Sequence, residues 1–269
     1  MKTIRFITLL IISTITGGPL MAQTTSQLRI PLSNPGKPFT LNVSFLTATI
    51  DVAAYDGNEI LIDFAGDDTK PKPATSSGGM RVIGGGTTSV TAIEKDNKVS
   101  VTGDAMAKRG NVKIKVPKGV NTFKLSTVNA RGITATDISG EIEVSNTNGG
   151  IKLANVSGSV VANTTNGDVI VVFRTIDAKA PMAFTTLNGR VDVTVPATVK
   201  VNVKLHTDRG EIFSDFDVAV EPSTPTTTRG KDGSYRYNDQ EWVTGKLNGG
   251  GPELTMRTFN GNIYIRKVK

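Results

Sequence analysis

The chain has 269 residues, 31 Lys and Arg against 24 Asp and Glu, and a formal charge of +7, a length that suits one elongated body or one or two compact domains. Cysteine is absent, which excludes disulfides, thiol catalysis and lipid attachment through an N-terminal cysteine. With no basic helix or aromatic-rich strand the mild basic excess does not point to nucleic acid; weak attraction to anionic envelope polymers and plain solubility both fit it.

Residues 1–22 carry Lys2 and Arg5, then the apolar run FITLLIISTI, then GGPLMA before Gln23. This is the layout of a secretory signal peptide, and Gly17, Gly18 and Pro19 interrupt it too early for a spanning helix. Export is therefore predicted, to a periplasm or to the cell surface, with a single domain over 23–269. Loss of the two basic residues would leave a charge of +5. No later segment reaches about eighteen unbroken apolar residues, so no membrane span is expected in the mature chain.

Residues 28–64 read as opening strands, with FTLNVSFLTATIDV and EILIDF flanking the turn Tyr55-Asp56-Gly57-Asn58, and are expected to form the first coil and its cap. Residues 65–90 are rich in Gly, Pro, Ser and Thr and read as a loop excursion. KVSVTG and NVKIKVPKGV then resume strand alternation. There Lys113 and Lys115 share a face, with Lys118 at the bend, as a solvated face or an anion site.

From residue 140 the pattern becomes a repeat. GEIEVSNTNGGIKLANVSGSVVANTTNGDVIVVF places Gly140, Gly149, Gly158 and Gly167 nine residues apart, with apolar residues two and four places after each. Ile151 and Leu153 follow Gly149, Val169 and Val171 follow Gly167, and Val191 and Val193 follow Gly189; Ile142, Val144 and Val160 obey the same rule after the half-step glycines. Alternation of this kind makes short strands with every second residue inward. A fixed interval means stacked units that bury their apolar faces only against neighbours. The predicted fold is all-β: a parallel β-solenoid, right-handed because parallel crossovers nearly always are, with 18–22 residues per turn. Ile151, Val169 and Val191 should stack inside it.

Asn-Gly pairs at 148–149, 166–167, 188–189, 248–249 and 260–261 would make the corners, because this dipeptide readily takes positive φ. One such pair alone could equally close a hairpin. Just after the glycines come Asp168, Arg190 and Glu211, which on successive coils would form a surface ladder of alternating sign. A carboxylate row could also serve a metal or catalysis, but the arginine within it speaks against that. Beyond Gly210, residues 219–246 form a second polar excursion carrying Tyr235, Tyr237 and the single tryptophan, Trp242. These aromatics could stack on sugars or a protein partner, or plug the open end of the stack.

VKIKVPKGV, then STVNARGITATDISGEIEVSNTNGGIKLANVSGSVVANTTNGDVIV, then GKLNGGGPELTMRTFNGNIYI resembles the bacterial "putative adhesin" family of exported repeat-strand proteins. The shared order is a strand ending in Val-Pro, tandem Ser/Thr-x-Asn-Gly-x-Ile coils, and a Leu-Asn-Gly-Gly-Gly turn before a last Asn-Gly coil. The match covers about residues 112–265, more weakly 40–64. It implies a β-solenoid at the envelope or cell surface and carries over no catalytic residue. Ala130-Arg131, where Asn-Gly would be expected, and the insertion at 65–90 depart from the pattern.

Parallel-strand solenoids also host polysaccharide hydrolases and lyases, and that is the rival class. His206, the only histidine, lies two residues before Asp208; one histidine beside one acid more often marks a strand end than a base and its partner. No Gly-x-Ser-x-Gly elbow, His-Glu-x-x-His pattern, phosphate loop or calcium repeat occurs. The sequence thus predicts a non-enzymatic protein with no cofactor or metal, Tyr235, Tyr237 and Trp242 as binding candidates, and envelope glycans or another surface protein as partner.

Overall fold

The computed structural model describes residues 27–66, 90–103, 110–177, 180–221, 226–229, 234–238 and 242–269. The predicted signal peptide and most of the first excursion lie outside them. All regular structure among the described residues is strand. In chain order the strands are β1 (Gln27–Pro31), β2 (Thr40–Phe45), β3 (Thr49–Tyr55), β4 (Glu59–Gly66), β5 (Val90–Lys95), β6 (Lys98–Gly103), β7 (Gly110–Pro117), β8 (Val120–Thr127), β9 (Gly132–Thr136), β10 (Ser139–Asn148) and β11 (Gly150–Asn166). They continue with β12 (Val169–Ile176), β13 (Met182–Thr185), β14 (Val191–Val195), β15 (Val201–Arg209), β16 (Ile212–Ser214), β17 (Ala219–Glu221), β18 (Thr226–Arg229), β19 (Tyr235–Asn238), β20 (Val243–Leu247), β21 (Glu253–Asn260) and β22 (Ile263–Lys267).

Inward and outward residues alternate along β10, where Ile142, Val144 and Asn146 point in and Glu141, Glu143 and Ser145 point out. The same alternation in its neighbours builds two faces around one apolar core. On the first face the hydrogen-bonded order is β5, β6, β2, β8, β10, the second half of β11, β13, β21, β15, β20, β17. On the second it is β1, β4, β7, β3, β9, the first half of β11, β12, β14, β22, β16. β11 serves both faces, bending between Leu153 and Ser157 where its register shifts and Asn155 takes φ 56°. One strand from each face makes a layer. Ser139 pairs with Ser157 and Gly132 with Gly150, a step of 18, while Val169 pairs with Val191, a step of 22. Ile151, Val169 and Val191 lie in one such row, each at most 1% exposed.

The Asn-Gly corners hold a side-chain ladder. Asn148 Nδ2 donates to Asn129 Oδ1 (2.7 Å), Asn166 to Asn148 (2.8 Å), Asn188 to Asn166 (2.7 Å) and Asn260 to Asn188 (2.7 Å). Just before each turn a threonine hydroxyl reaches into the preceding layer: Thr164 donates to Gly149 O, Thr186 to Gly167 O, Thr258 to Gly189 O and Thr207 to Gly261 O. At the departure Ala130-Arg131 the ladder place is taken by Asn129, and the one residue by which Asn129–Gly132 exceeds Asn148–Gly150 is absorbed before Gly132 pairs with Gly150.

Three findings correct the expected uniform parallel winding. First, the sheet is mixed: parallel pairing runs through the interior layers, but β4, β5 and β20 pair antiparallel at the ends. Antiparallel strands end the parallel run where bare edges would invite pairing with another chain. Second, the layers do not follow chain order. The 40–55 layer lies between 98–117 and 120–136, and the 253–267 layer lies between 182–195 and 201–214. Third, the charge ladder is therefore interrupted. Arg190 meets Asp168 at 3.2 Å, but Glu211 lies beyond Asn262, whose Oδ1 accepts its backbone N–H at 3.0 Å.

The second excursion is partly strand. β17 and β20 join the main sheet, and β18 and β19 pair antiparallel as a separate two-stranded sheet.

Candidate binding surface

Opposite the Asn-Gly corners, each chain leaving the second face turns back into the first. Asp137 (φ 59°) and Asn155 (φ 56°) make left-handed bends there, and the Asn155 amide donates to the Asp137 carboxylate. Ser139-Gly140 and Ser157-Gly158 follow, in register on adjacent layers. Arg174 on β12 spans both, its Nε donating to Ser157 Oγ and its terminal nitrogen to Ser139 Oγ, each at 3.1 Å.

Beside this clamp runs an open cavity of about 530 Å³ whose walls include Val120, Thr122, Glu141, Ser159 and Thr175. A second, of about 450 Å³, adjoins it around Lys118, Gly119, Asp137 and Arg174. The trough crosses successive layers. Its lip is Val120, 72% exposed, and its walls offer hydroxyls, the carboxylates of Asp137, Glu141 and Asp177, and the cationic Lys118 and Arg174. Such a mixture can hydrogen-bond a hydroxyl-rich polymer. Sequence reading took Gly140 and Gly158 as structural and missed the trough. The signal was present in Ser-Gly-Glu and Ser-Gly-Ser, repeated at eighteen residues.

The three aromatic candidates are not brought together as one described surface. Tyr235 and Tyr237 occupy alternate positions of β19, opposite Arg229 and Thr227. Trp242 is half-buried on the outer face of β15, its ring 5.0 Å from His206 and 4.9 Å from the Lys204 ammonium. It thus packs on the body and covers His206, whose side chain is only 7% exposed and lies 3.2 Å from Asp208. A second aromatic group, unforeseen from sequence, stands on the other face: Phe213 and Tyr264 stack at 5.0 Å and 9°. Arg266 lies 4.7 Å over Tyr264 and donates to Asp192 at 2.8 Å. The Asp192 hydrogen bond holds this guanidinium above its ordinary range, so its charge is constant at every physiological pH. No group of His, Cys, Asp and Glu able to hold a metal occurs among the described residues.

Stacked strand layers around one aliphatic core, with hydrogen-bonded asparagine corners, define a repeat-strand all-β protein. The chain belongs to the Toastrack DUF4097 family, whose model matches residues 47–238, and the resemblance to repeat-strand adhesin-like proteins holds. Among solved structures it is similar to "a putative cell adhesion protein" from Clostridium sporogenes, at 10% identity and TM-score 0.37, covering 90% of this chain and 99% of the other. It is also similar to "a putative adhesin" from Bacteroides fragilis, at 11% identity and TM-score 0.34, covering 90% and 96%. No curated protein matches the chain.

Proposed function

We propose that the protein is an exported, non-enzymatic binding protein of the bacterial envelope or cell surface, which lays a hydroxyl-rich polymer, an envelope glycan, along its outer trough. The body is read as a right-handed solenoid whose filled interior leaves recognition to its exterior. One observation carries the reading: hydroxyls from successive layers line one open cavity and the twice-anchored Arg174 lines the cavity adjoining it. The β18–β19 hairpin, separate from the main sheet and bearing Tyr235 and Tyr237, supplies a second contact. The names given to the Clostridium and Bacteroides proteins accord with a surface role. His206, covered by Trp242, is poorly placed to serve as a base towards a polymer.

The test is co-sedimentation of the purified mature chain with insoluble bacterial cell-wall polysaccharide. Wild type should be retained, and a Glu141→Ala, Arg174→Ala double variant should lose retention while melting cooperatively. Replacement of 226–238 by a Gly-Ser linker should weaken retention less. Equal retention of the trough variant would contradict the proposed site, and release of soluble saccharide by wild type would contradict the non-enzymatic reading.

A further inference from the structure

The Asn-Gly pairs invite a chemistry unrelated to binding. In this dipeptide the glycine amide nitrogen can attack the asparagine Cγ. A new C–N bond closes a succinimide and ammonia leaves; water then opens the ring at either carbonyl to give aspartate or isoaspartate. The sum is amide plus water to carboxylic acid plus ammonia, with no other reactant. The step requires the glycine N–H to be available and the asparagine side chain to swing onto it, which any hydrogen bond held by that side chain must first release.

In the corner ladder neither condition is met. Each glycine N–H is already given to the next layer: Gly149 to Asn166 O (2.7 Å), Gly167 to Asn188 O (2.8 Å), Gly189 to Asn260 O (3.0 Å) and Gly261 to Arg209 O (3.1 Å). Each ladder amide is also held by the amide above or below it. Reaction there must wait for local opening of the stack.

Asn248-Gly249 is built differently. It forms the turn from β20 to β21, both residues are exposed, and Asn248, Gly249 and Gly250 take φ of 50°, 91° and 84° in succession. Among the described residues the Gly249 N–H makes no hydrogen bond, and the space where its β-carbon would lie is open to 4 Å. The Asn248 side chain is itself held, Nδ2 donating to Ala197 O (3.0 Å) and Val199 O (2.7 Å), so what separates this pair from the ladder is its unbonded glycine N–H and its place on an exposed turn, where those two bonds can open without parting the layers.

We infer that Asn248 is the site of spontaneous deamidation in the folded protein, and that the asparagine ladder shields the other Asn-Gly pairs. The product carries a carboxylate where the amide stood. It has no donor for Ala197 O and Val199 O, and its negative charge faces both carbonyl oxygens, so the 196–200 turn loosens. The modification thus acts on the segment leading from β14 into β15, near the end of the stack, while leaving the interior layers intact.

The test is peptide mapping by mass spectrometry of the mature chain during incubation in mildly alkaline buffer at physiological temperature, native and in concentrated urea. In the native protein, conversion at Asn248 should exceed that at Asn148, Asn166, Asn188 and Asn260 at least about tenfold, because the ladder sites react only from opened states. In urea the five rates should converge. Modified native protein should show faster amide exchange around Val199 with unchanged exchange at Val169. Native rates that are equal at all five pairs, or absence of reaction at Asn248, overturn the inference. So does an Asn248 rate that still leads by the same factor in urea, since the cause would then be local sequence rather than the fold.

Discussion

Gly158 places the geometry of stacking under direct stress. It has φ 108°, and a β-carbon built there would lie 2.1 Å from Gly140 O and 2.9 Å from Gly140 C, both backbone atoms of the adjoining layer. Alanine in this conformation costs about 1–2 kcal/mol for the backbone alone. Relief of the contact would require the layers to part locally. Parting that seam strains Ser157 N–H to Ile138 O (3.1 Å), and the displacement of Gly158 strains Asp177 N–H to Gly158 O (3.0 Å) on its other side; losing both adds roughly 2 kcal/mol. Gly158→Ala should therefore cost about 3–4 kcal/mol, a fall in Tm of roughly 6–15 °C for a chain of this size. Gly36→Ala is the control, since Gly36 has φ 79° with nothing within 4 Å of the added carbon; only the conformational cost of about 1–2 kcal/mol applies. Thermal unfolding followed by circular dichroism would compare the two. If both variants melt together, the close approach of the layers at Gly140 and Gly158 is wrong.

Asn188→Ala removes one donor and one acceptor from the exposed ladder and should cost about 1–2 kcal/mol. Asn188→Asp should be worse at neutral pH, where its carboxylate faces Asn166 Oδ1 without a proton to give, and should recover in acid; denaturant titration at both pH values would show this. Glu94 is held below the usual carboxylate range, chiefly by the Ser33 backbone N–H and then by the Ser33 hydroxyl and Asn97 N–H. A depressed folded pKa stabilises above the unfolded value and that contribution disappears as pH falls through the folded one. The Tm gap between wild type and Glu94→Gln should accordingly be widest at neutral pH and close in acid; a gap that is flat across the series contradicts the bonding described.

Much of the interior could be read from the chain. The two-residue alternation after Gly149, Gly167 and Gly189 specifies which side of a strand faces the core, because a one-residue slip would expose every valine and isoleucine. Layer order was not legible. The segments 40–55 and 253–267 carry the same alternation as any other layer, so local pattern cannot say that 98–117, later in the chain, stacks outside the first, or that 201–214, earlier in the chain, stacks outside the second. The threonine and asparagine ladders were half visible: Asn-Gly announced a bend, but Thr164, Thr186 and Thr258 fall at inward positions of the alternation, and what satisfies a hydroxyl there, the preceding layer's carbonyls, comes from another layer. Trp242 was legible as an aromatic in a polar stretch, but not as the cover of His206, which comes from a strand distant in sequence. The trough is a property of several layers together and has no single-segment signature.

Disulfide trapping tests the layer order most directly, and the absence of native cysteine leaves a clean background. Asn260 N–H donates to Leu187 O at 2.8 Å, and Arg209 pairs with Asn260; Leu187, Phe259 and Asp208 therefore follow one another on adjacent layers. Neighbouring strands are about 4.8 Å apart, within the Cα separation of about 4.4–6.8 Å that a disulfide accepts, whereas two layers are not. Leu187→Cys with Phe259→Cys should oxidise to a crosslinked, still cooperative protein, and Leu187→Cys with Asp208→Cys should remain reduced. The reverse outcome, with 187 bridged to 208 and not to 259, would show a stack wound in simple chain order and contradict the account.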